Sequence, residues 1–467
     1  MHKYYISKDG KTFKRLPKNS KGYFAVPEGV EVIGRRAFAG CEGLTSVTLP
    51  MTLKVIGDEA FEGCSNLGAI ILPEGVETIG KKAFANCRGL TEINLPNTLK
   101  ELGEEAYYCC SRLKRIEIPE RITKIPDECF FGCAITEIRF PDSLEEIGSM
   151  AFALCSLSAI EVGPNVTTVG WFAFQGNRAE TLHLGKSVRA IGKQAFLCTE
   201  LKTIEVDAQN ELFTDAGCNV LMEKETGRVL LGSANSVIPD NAKVITSDSF
   251  STEAVPQVLV IPSSVETIEA GAFSGFGKSI IVLNKGVQTI QECAFMPCGS
   301  GTITVYLPST VSSMGAQCSS VEFHLDAANQ HFSYDAAGKN LISKDGNLIW
   351  GRLEEGIPSE GVVNVSVILD IKLSYPELIV PSSIKSISRY IFGLLPFKAN
   401  GLEKLVLNKG TKIDSAPRWG KMPCEIEVII PRKKGSAGLL KNTKYIIPAG
   451  TSTEDIDVFL GNDTIFM

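Results

Sequence analysis

Cysteine recurs along the N-terminal part of the chain at an almost constant interval. Six cysteines are separated by four steps of 23 residues and one of 22: Cys41, Cys64, Cys87, Cys110, Cys133 and Cys155. Thiols form disulfides, ligate zinc or act as nucleophiles. A structural zinc site uses close pairs such as CxxC that converge on one point, whereas this spacing supplies one thiol per repeat. The chemistry of this column therefore depends on how the repeats stack.

Stacked repeats lie about 4.8 Å apart, a distance that a disulfide tolerates between Cα atoms. Side chains of one column point in parallel, however, and bonded Cβ atoms must approach each other. Asn177 stands where the seventh cysteine is expected. Asn can replace Cys if the shared task is to fill a tight turn and hydrogen-bond its backbone, so we interpret the column as structural thiols. A local pair is permitted by four further residues, although repeat drift explains them more simply: Cys109, Cys129, Cys293 and Cys298.

Other catalytic or cofactor-binding patterns are missing from the sequence. The four histidines form no HExxH motif and no Ser/His or Cys/His arrangement, and there is no P-loop or GxGxxG. The net charge of −6 gives no basic stripe typical of nucleic-acid binding. No apolar run reaches the roughly 18 residues of a membrane span. We expect a non-enzymatic protein without a cofactor or metal, and without a nucleic-acid partner or a transmembrane segment.

The cysteines belong to a longer repeat, LxxIxLPxxLxxIGxxAFxxC, which residues 67–87 match as LGAIILPEGVETIGKKAFANC. Self-similarity at this period is the signature of a solenoid. The LxxIxL part predicts a strand with one buried face, which proline ends because it cannot donate to a ladder. The Gly-x-x-Ala-Phe part predicts a short helical turn. One aromatic residue per repeat is predicted to stack into a spine: Phe38, Phe61, Phe84, Tyr107, Phe130, Phe152, Phe174 and Phe196.

Two segments break the period, beginning at Asp207 and Asp326, and both have a Gly-centred turn between apolar runs that is typical of a β-hairpin. The N-terminal YYISKDGKTF matches the second half of that pattern and predicts a cap. The predicted organisation is a capping hairpin over 1–23, repeats over 24–206, a hairpin insertion over 207–245, repeats over 246–318, a second hairpin insertion over 319–360, and degenerate repeats with a C-terminal cap over 361–467.

These repeats resemble the BspA-like leucine-rich repeat family, also called the Treponema pallidum type. The resemblance implies a right-handed, β-rich α/β solenoid of 22–23-residue repeats with β-hairpin insertions. Members are surface or secreted proteins of host-associated bacteria, so it also implies adhesion or host-protein binding, and it brings no catalytic residues. The N-terminus has no apolar signal region. We therefore expect a cell-surface or secreted protein if a leader was removed from this chain, and a cytoplasmic one otherwise.

The open side of the strand column is the predicted binding face, because stacked strands form an extended surface. Its predicted residues are Ile71, Glu92, Asn94, Arg115, Glu117, Glu137, Arg139, Glu161, His183 and Glu205. Ile71 is the most informative of them, being apolar where solubility favours a polar residue. We expect a monomer that binds a protein or glycan there. The alternatives are a solvated face whose charges pair along the ladder, and a spacer that displays other domains on a bacterial surface.

Overall fold

The computed structural model describes residues 4–198, 200–251, 255–296, 301–318, 320–351, 361–365 and 383–388, together with four further strand segments within 377–428. The chain divides into two compact units. The first unit comprises Met1–Val237 and Thr252–Pro256, and the second comprises Ile238–Ser251 and Gln257–Met467. Both units are built from short strands, and the described residues include no helix.

The strands of the first unit are β1 (Tyr5–Ile6), β2 (Thr12–Arg15), β3 (Lys21–Ala25), β4 (Val32–Ile33), β5 (Gly43–Thr48), β6 (Val55–Ile56), β7 (Ala69–Ile70), β8 (Thr78–Ile79), β9 (Glu92–Ile93), β10 (Glu101–Leu102), β11 (Lys124–Ile125), β12 (Glu146–Ile147), β13 (Ala159–Val162), β14 (Thr168–Val169), β15 (Thr181–Leu184), β16 (Ala190–Ile191), β17 (Thr203–Val206), β18 (Phe213–Thr214), β19 (Val220–Glu223) and β20 (Arg228–Gly232).

The strands of the second unit are β21 (Val244–Ile245), β22 (Val258–Ile261), β23 (Thr267–Ile268), β24 (Ser279–Leu283), β25 (Thr289–Ile290), β26 (Ile303–Leu307), β27 (Ser313–Met314), β28 (Val321–Leu325), β29 (Phe332–Tyr334), β30 (Leu341–Ser343), β31 (Asn347–Trp350), β32 (Asn364–Val365), β33 (Glu377–Ile379), β34 (Ser386–Ser388), β35 (Lys404–Leu407), β36 (Lys412–Asp414) and β37 (Glu425–Val428).

Most repeats of the first unit contribute two parallel strands, one from LxxIxL and one from the LxxI that follows proline. The LxxIxL strands form the sheets β3-β5-β7-β9 and β13-β15-β17, and the others form β4-β6-β8-β10 and β11-β12-β14-β16. The register advances by one repeat per strand, as in Val55 opposite Thr78. The antiparallel pair β1-β2 joins the N-terminal end at β4. The predicted solenoid is therefore confirmed, with two parallel strands in most repeats.

The second unit repeats this plan. The LxxIxL strands form the parallel sheet β22-β24-β26-β28, and β21-β23-β25-β27 are parallel neighbours. The antiparallel strands β29-β30-β31 form a hairpin insertion, after which β32, β34 and β36 continue in parallel. The strands β18-β19-β20 form the corresponding antiparallel insertion in the first unit. Each insertion thus consists of three antiparallel strands, and the predicted bounds of the two insertions, 207–245 and 319–360, remain a prediction.

The predicted helical turn is wrong. From Gly57 to Cys64 the chain makes successive β-turns, with Ala60 N donating to Gly57 O at 3.2 Å and Cys64 N to Phe61 O at 3.1 Å. The third residue of each of these turns has a positive φ, 55° at Glu59 and 71° at Gly63, as in a type II turn. This geometry frees Phe61 N to donate to Ala83 O of the next repeat at 2.7 Å. Hydrogen bonds between repeats thus replace those that a helix would make within one repeat.

The predicted aromatic spine is confirmed. Successive rings from Phe38 to Phe196 stack with centroid distances between 4.6 Å and 5.7 Å. Phe13 of the N-terminal hairpin extends the stack, lying 4.8 Å from Phe38. In the second unit Phe250, Phe273 and Phe295 form an equivalent stack. The spine fills the core, and each ring is buried mainly against its neighbours in the adjacent repeats.

Tyr107 is the one polar member of the first unit's spine, and its substitution by phenylalanine is expected to stabilise the protein. The Tyr107 hydroxyl is buried without a hydrogen-bond partner among the described residues, and burial raises the pKa of the phenol well above its usual value. An unsatisfied buried hydroxyl costs about 1–3 kcal/mol. We therefore expect Tyr107→Phe to raise the free energy of unfolding in urea by about 1–2 kcal/mol. Tyr108→Phe, at a half-buried position, is the control and should change little. A destabilised Tyr107→Phe would show that the hydroxyl has a partner, such as a buried water.

Candidate functional site

The cysteine column links neighbouring repeats through hydrogen bonds. From Cys64 to Cys155 each thiol in the column donates to the carbonyl of the spine residue one repeat earlier, at distances such as 3.1 Å from Cys87 Sγ to Phe61 O. Cys41, in the first repeat, donates to Leu16 O and Pro17 O instead. The Phe61 carbonyl also accepts the backbone N–H of Cys64, in its own repeat. Asn177 makes the same bond, from Nδ2 to Phe152 O at 2.8 Å. The interpretation of the column as structural thiols is confirmed by this shared geometry.

The state of these thiols also argues against reactivity. The six cysteines of the column are free thiols, as are Cys109, Cys129, Cys198 and Cys218, whereas Cys298 and Cys424 lie outside the described part of the chain. Burial raises the pKa of Cys155 and of Cys198 to about 12, so both remain protonated donors at neutral pH. Within the described residues no three His, Cys, Asp or Glu side chains are grouped to hold a metal ion. The column therefore supports the fold and leaves the open side of the strands as the candidate site.

We call this side the strand face: the outward side of β3-β5-β7-β9 and β13-β15-β17 in the first unit, and of β22-β24-β26-β28 in the second. Strand alternation produces it, because Val47, Ile70 and Ile93 point into the core and are buried. The residues next to these three on their own strands point outward. Among them, Ala69 on β7 is in register with Glu92 on β9. Each strand therefore offers one or two side chains to solvent.

The structure places nine of the ten predicted residues in exposed positions and leaves His183 half-buried. Ile71 is 78% exposed, the largest value among the exposed large apolar residues of the chain that are described. Glu161, His183 and Glu205 are brought together in register on β13, β15 and β17, with His183 Nδ1 3.9 Å from Glu205 Oε2. Exposed ion pairs of this kind contribute at most about 1 kcal/mol. Their pairing is consistent with a solvated face as well as with a binding surface.

Six of the ten predicted residues do not lie on strands. Ile71 and Asn94 directly follow β7 and β9. The other four, Arg115, Glu117, Glu137 and Arg139, fall between β9 and β13, where described residues 113–119 and 135–140 form no strand. Here the repeat shortens, because Ile135 follows Cys133 by two residues whereas Leu113 follows Cys110 by three. The remaining backbone bond, from Thr136 N to Lys114 O, is long at 3.4 Å. The change of repeat length thus weakens the ladder, and the predicted continuous strand column is wrong at these positions.

Asn94 supports the backbone. Its Nδ2 donates to Leu72 O at 2.8 Å, and its Oδ1 accepts from Leu72 N at 2.9 Å. The side chain therefore bridges two repeats just beyond the ends of β7 and β9. These two hydrogen bonds hold the Asn94 amide against the backbone and use one of its two N–H donors and one of its two oxygen lone pairs.

The second unit presents an apolar strand face that the sequence interpretation missed. Val258 is 54% exposed, Val260 48%, Ile280 39% and Tyr306 44%. The register places Val258 opposite Ile280 and Val260 opposite Val282, followed in that column by Tyr306 and His324. The rings of Tyr306 and His324 stack at 4.8 Å. Contiguous exposed apolar side chains of this kind mark interaction sites on soluble proteins.

A signal for this patch was present in the sequence. The segments VLVIP (258–262) and IIVLN (280–284) are apolar at both alternating positions, whereas EV (161–162 and 205–206) alternates charged and apolar residues. An all-apolar strand usually predicts burial on both sides. In a solenoid only one side is covered, so the second set of apolar residues remains exposed.

The chain matches a family model described as a BspA type leucine rich repeat region, in six copies over residues 11–135, 123–219 and 233–340. A search of curated protein sequences finds no match. No helix of the described residues has the length and apolar character needed to cross a membrane.

Solved structures of bacterial leucine-rich repeat proteins are similar to the chain. A leucine rich cell surface protein from Faecalibacterium prausnitzii A2-165 has 19% identity and a TM-score of 0.41, covering 99% of this chain and 97% of its own. A leucine-rich repeat protein from Bacteroides ovatus has 18% identity and a TM-score of 0.41, covering 70% and 98%. The T. pallidum leucine rich repeat protein has 27% identity and a TM-score of 0.28, covering 33% and 86%.

Proposed function

Because the chain belongs to the BspA-type leucine-rich repeat family, we propose that it is a non-enzymatic protein-binding module that contacts its partner through the strand face. The observation that carries this proposal is the apolar patch of the second unit, formed by Val258, Val260, Ile280, Val282 and Tyr306. Repeat proteins of this kind use extended stacked surfaces for binding.

The energetics favour the patch as the centre of an interface. Complete burial of an aliphatic side chain contributes about 1.5–3 kcal/mol, so several half-exposed aliphatic residues together can supply a substantial part of a binding free energy. Tyr306 adds an aromatic ring with a polar end, which is a residue type enriched at binding hot spots. Glu322 and His324 lie at the polar end of the patch, on β28. The expected partner is a protein surface with apolar side chains at its centre.

The charged residues of the first unit are the second part of the proposal. Glu92, Arg115, Glu117, Glu137, Arg139, Glu161, His183 and Glu205 would adjust the rate and specificity of binding more than the affinity, because exposed charges are screened by salt. Ile71 would add a single apolar contact. Asn94 is omitted from this set because its amide is used by Leu72.

Placement of the module on a bacterial cell surface, with a role in adhesion to host ligands, is also part of the proposal. It follows from the family and not from any site on the chain. The alternative is a spacer that displays other domains. If the chain is a spacer, substitutions on the strand face should have no effect on any interaction.

Val260→Lys is expected to weaken partner binding at least tenfold, because it puts an ammonium group in the centre of the apolar patch. Binders would be selected from a displayed library of protein fragments on the full chain, and their affinity for each variant measured by biolayer interferometry. Val237→Lys is the matched control, since Val237 is 63% exposed and lies on no strand of the strand face.

The first unit is tested in the same assay by Glu117→Lys, Glu137→Lys and Glu161→Lys combined. A change in association rate and salt dependence would support their role in recognition. If this variant binds unchanged while Val260→Lys does not, the charged residues form a solvated face. If Val260→Lys and Val237→Lys bind every selected fragment equally well, the strand face is not the binding site and the spacer is favoured.

A further inference from the structure

The N-terminal segment that carries β1 and β2 is strongly basic within an otherwise acidic chain. Residues 1–23 contain seven Lys or Arg and one Asp, whereas the whole chain has a net charge of −6. The remaining residues therefore sum to −12, so the cations of this segment are not part of a general basic character of the chain. Concentration of one sign of charge at one place attracts ligands of the opposite sign.

Part of this charge is left unneutralised around a cleft. Lys11 pairs with Glu31 at 2.9 Å, but no carboxylate of the described residues lies within ion-pair distance of Arg15 or Lys18. These two cations line a surface cleft of about 690 Å³ together with Tyr5, Pro17 and Asn19. The cleft thus combines two free cations, an aromatic ring and a side-chain amide.

The fold fixes the backbone that carries these side chains. Tyr5 and Arg15 are directly opposite in the β1-β2 register. The turn that carries Lys18 is closed by Ser20 N donating to Pro17 O at 3.0 Å, and Leu16 N fixes it to Ala37 O at 2.8 Å. The Lys18 side chain lies over the next repeat, where a Cβ added to Gly40 would be 3.4 Å from Lys18 Nζ. Preorganised groups lose less entropy when a ligand binds.

We propose that this cleft, formed by Tyr5, Arg15, Pro17, Lys18 and Asn19, binds an acidic polysaccharide. The Arg15 guanidinium matches a carboxylate or sulfate group with two parallel hydrogen bonds, and the Lys18 ammonium binds a second anionic group. The Tyr5 ring, 61% exposed, offers a flat apolar face to the C–H groups of a sugar ring. The Asn19 amide suits a sugar hydroxyl. Nucleic acid fits less well, because it is bound through many phosphate contacts along a stripe.

This site is independent of the protein-binding proposal, since it uses no residue of the strand face. A simpler role for the cations is protection of the sheet edge, because charged residues on an edge strand prevent pairing with other chains. Edge protection requires charge alone. It therefore predicts that the Tyr5 ring does not contribute to ligand binding and that polysaccharides are not preferred over other anions.

The test measures binding of the full chain to immobilised heparin, which is sulfated, and to hyaluronan, which carries carboxylates only, with neutral dextran as a blank. We expect binding to at least one of the two acidic polysaccharides. Arg15→Gln combined with Lys18→Gln should reduce that affinity about a hundredfold, because the charge-assisted contacts of both cations are lost. Tyr5→Ala should reduce it about tenfold, whereas Tyr5→Phe should retain it. Which of the two polysaccharides binds identifies the anionic group.

The matched control is Lys54→Gln combined with Arg121→Gln, which removes the same charge at two exposed positions of the same unit. An equal loss in both double variants would mean diffuse attraction and would overturn the site. Failure of the unmodified chain to bind either polysaccharide at low salt would overturn it as well. Competition by double-stranded DNA as effective as that by the bound polysaccharide would contradict the choice of ligand. Circular dichroism checks that every variant is folded.

Discussion

Phe84→Ala is expected to lower the free energy of unfolding of the first unit by about 3–5 kcal/mol. Phe84 is completely buried, and its ring stacks on Phe61 at 5.0 Å and on Tyr107 at 5.3 Å. Removal of the ring leaves a cavity between two repeats that pack almost entirely on each other. The backbone carbonyl of Phe84 continues to accept the Cys110 thiol at 3.2 Å, so the loss should be one of packing alone.

Urea unfolding followed by circular dichroism measures this loss, and hydrogen exchange locates it in the repeats next to Phe84. Tyr108→Ala is the matched control, because Tyr108 also stacks on an aromatic ring, Phe131 at 5.0 Å, but is half-buried on the turn side. Tyr108→Ala should lower the free energy of unfolding by clearly less than Phe84→Ala does. Equal losses for the two variants, or an unchanged midpoint for Phe84→Ala, would refute the assignment of the spine as the main source of stability.

Gly103→Ala is expected to destabilise the first unit by about 3 kcal/mol, although Gly103 has an ordinary backbone conformation. An added Cβ would lie 2.4 Å from Gly80 C and 2.4 Å from Lys81 N, both backbone atoms of the preceding repeat. These atoms are held by the ladder, since Gly80 N donates to Ile56 O at 2.8 Å. The methyl group can be accommodated only if the repeats move apart.

Gly68→Ala is the control, and it is expected to stabilise the first unit where Gly103→Ala destabilises it. The nearest atom to an added Cβ at Gly68 is Thr45 O at 3.9 Å, an ordinary contact, and the φ angle is not positive. Substitution at such a position stabilises by about 0.4–1 kcal/mol because the unfolded chain loses conformational freedom. Thermal or urea unfolding of both variants tests the pair. If Gly103→Ala is as stable as Gly68→Ala, the neighbouring repeats are farther apart at Gly103 than the structure places them.

Periodicity in the sequence was sufficient to predict the solenoid, its repeat length, the aromatic spine and the structural thiols. Each of these depends on one residue type that recurs at one position, and stacking repeats bring such positions together whatever the path of the chain between them. The replacement of cysteine by Asn177 is a good example. The substitution alone indicated a shared hydrogen-bonding task, and the bond to Phe152 O proved to be that task.

Tertiary structure alone decided how each repeat turns and what its outer side presents. The Ala-Phe segment has the composition of a helical turn, but its N–H groups bond to the next repeat, so residues such as Glu59 adopt a positive φ instead. Glycine recurs before it because the preceding backbone approaches closely, which no local pattern reveals. Likewise, Asn94 binds a neighbouring backbone, and Val260 remains exposed although its segment is apolar throughout. Periodicity identifies the residues that meet, whereas only the spacing of the repeats determines which of them are covered.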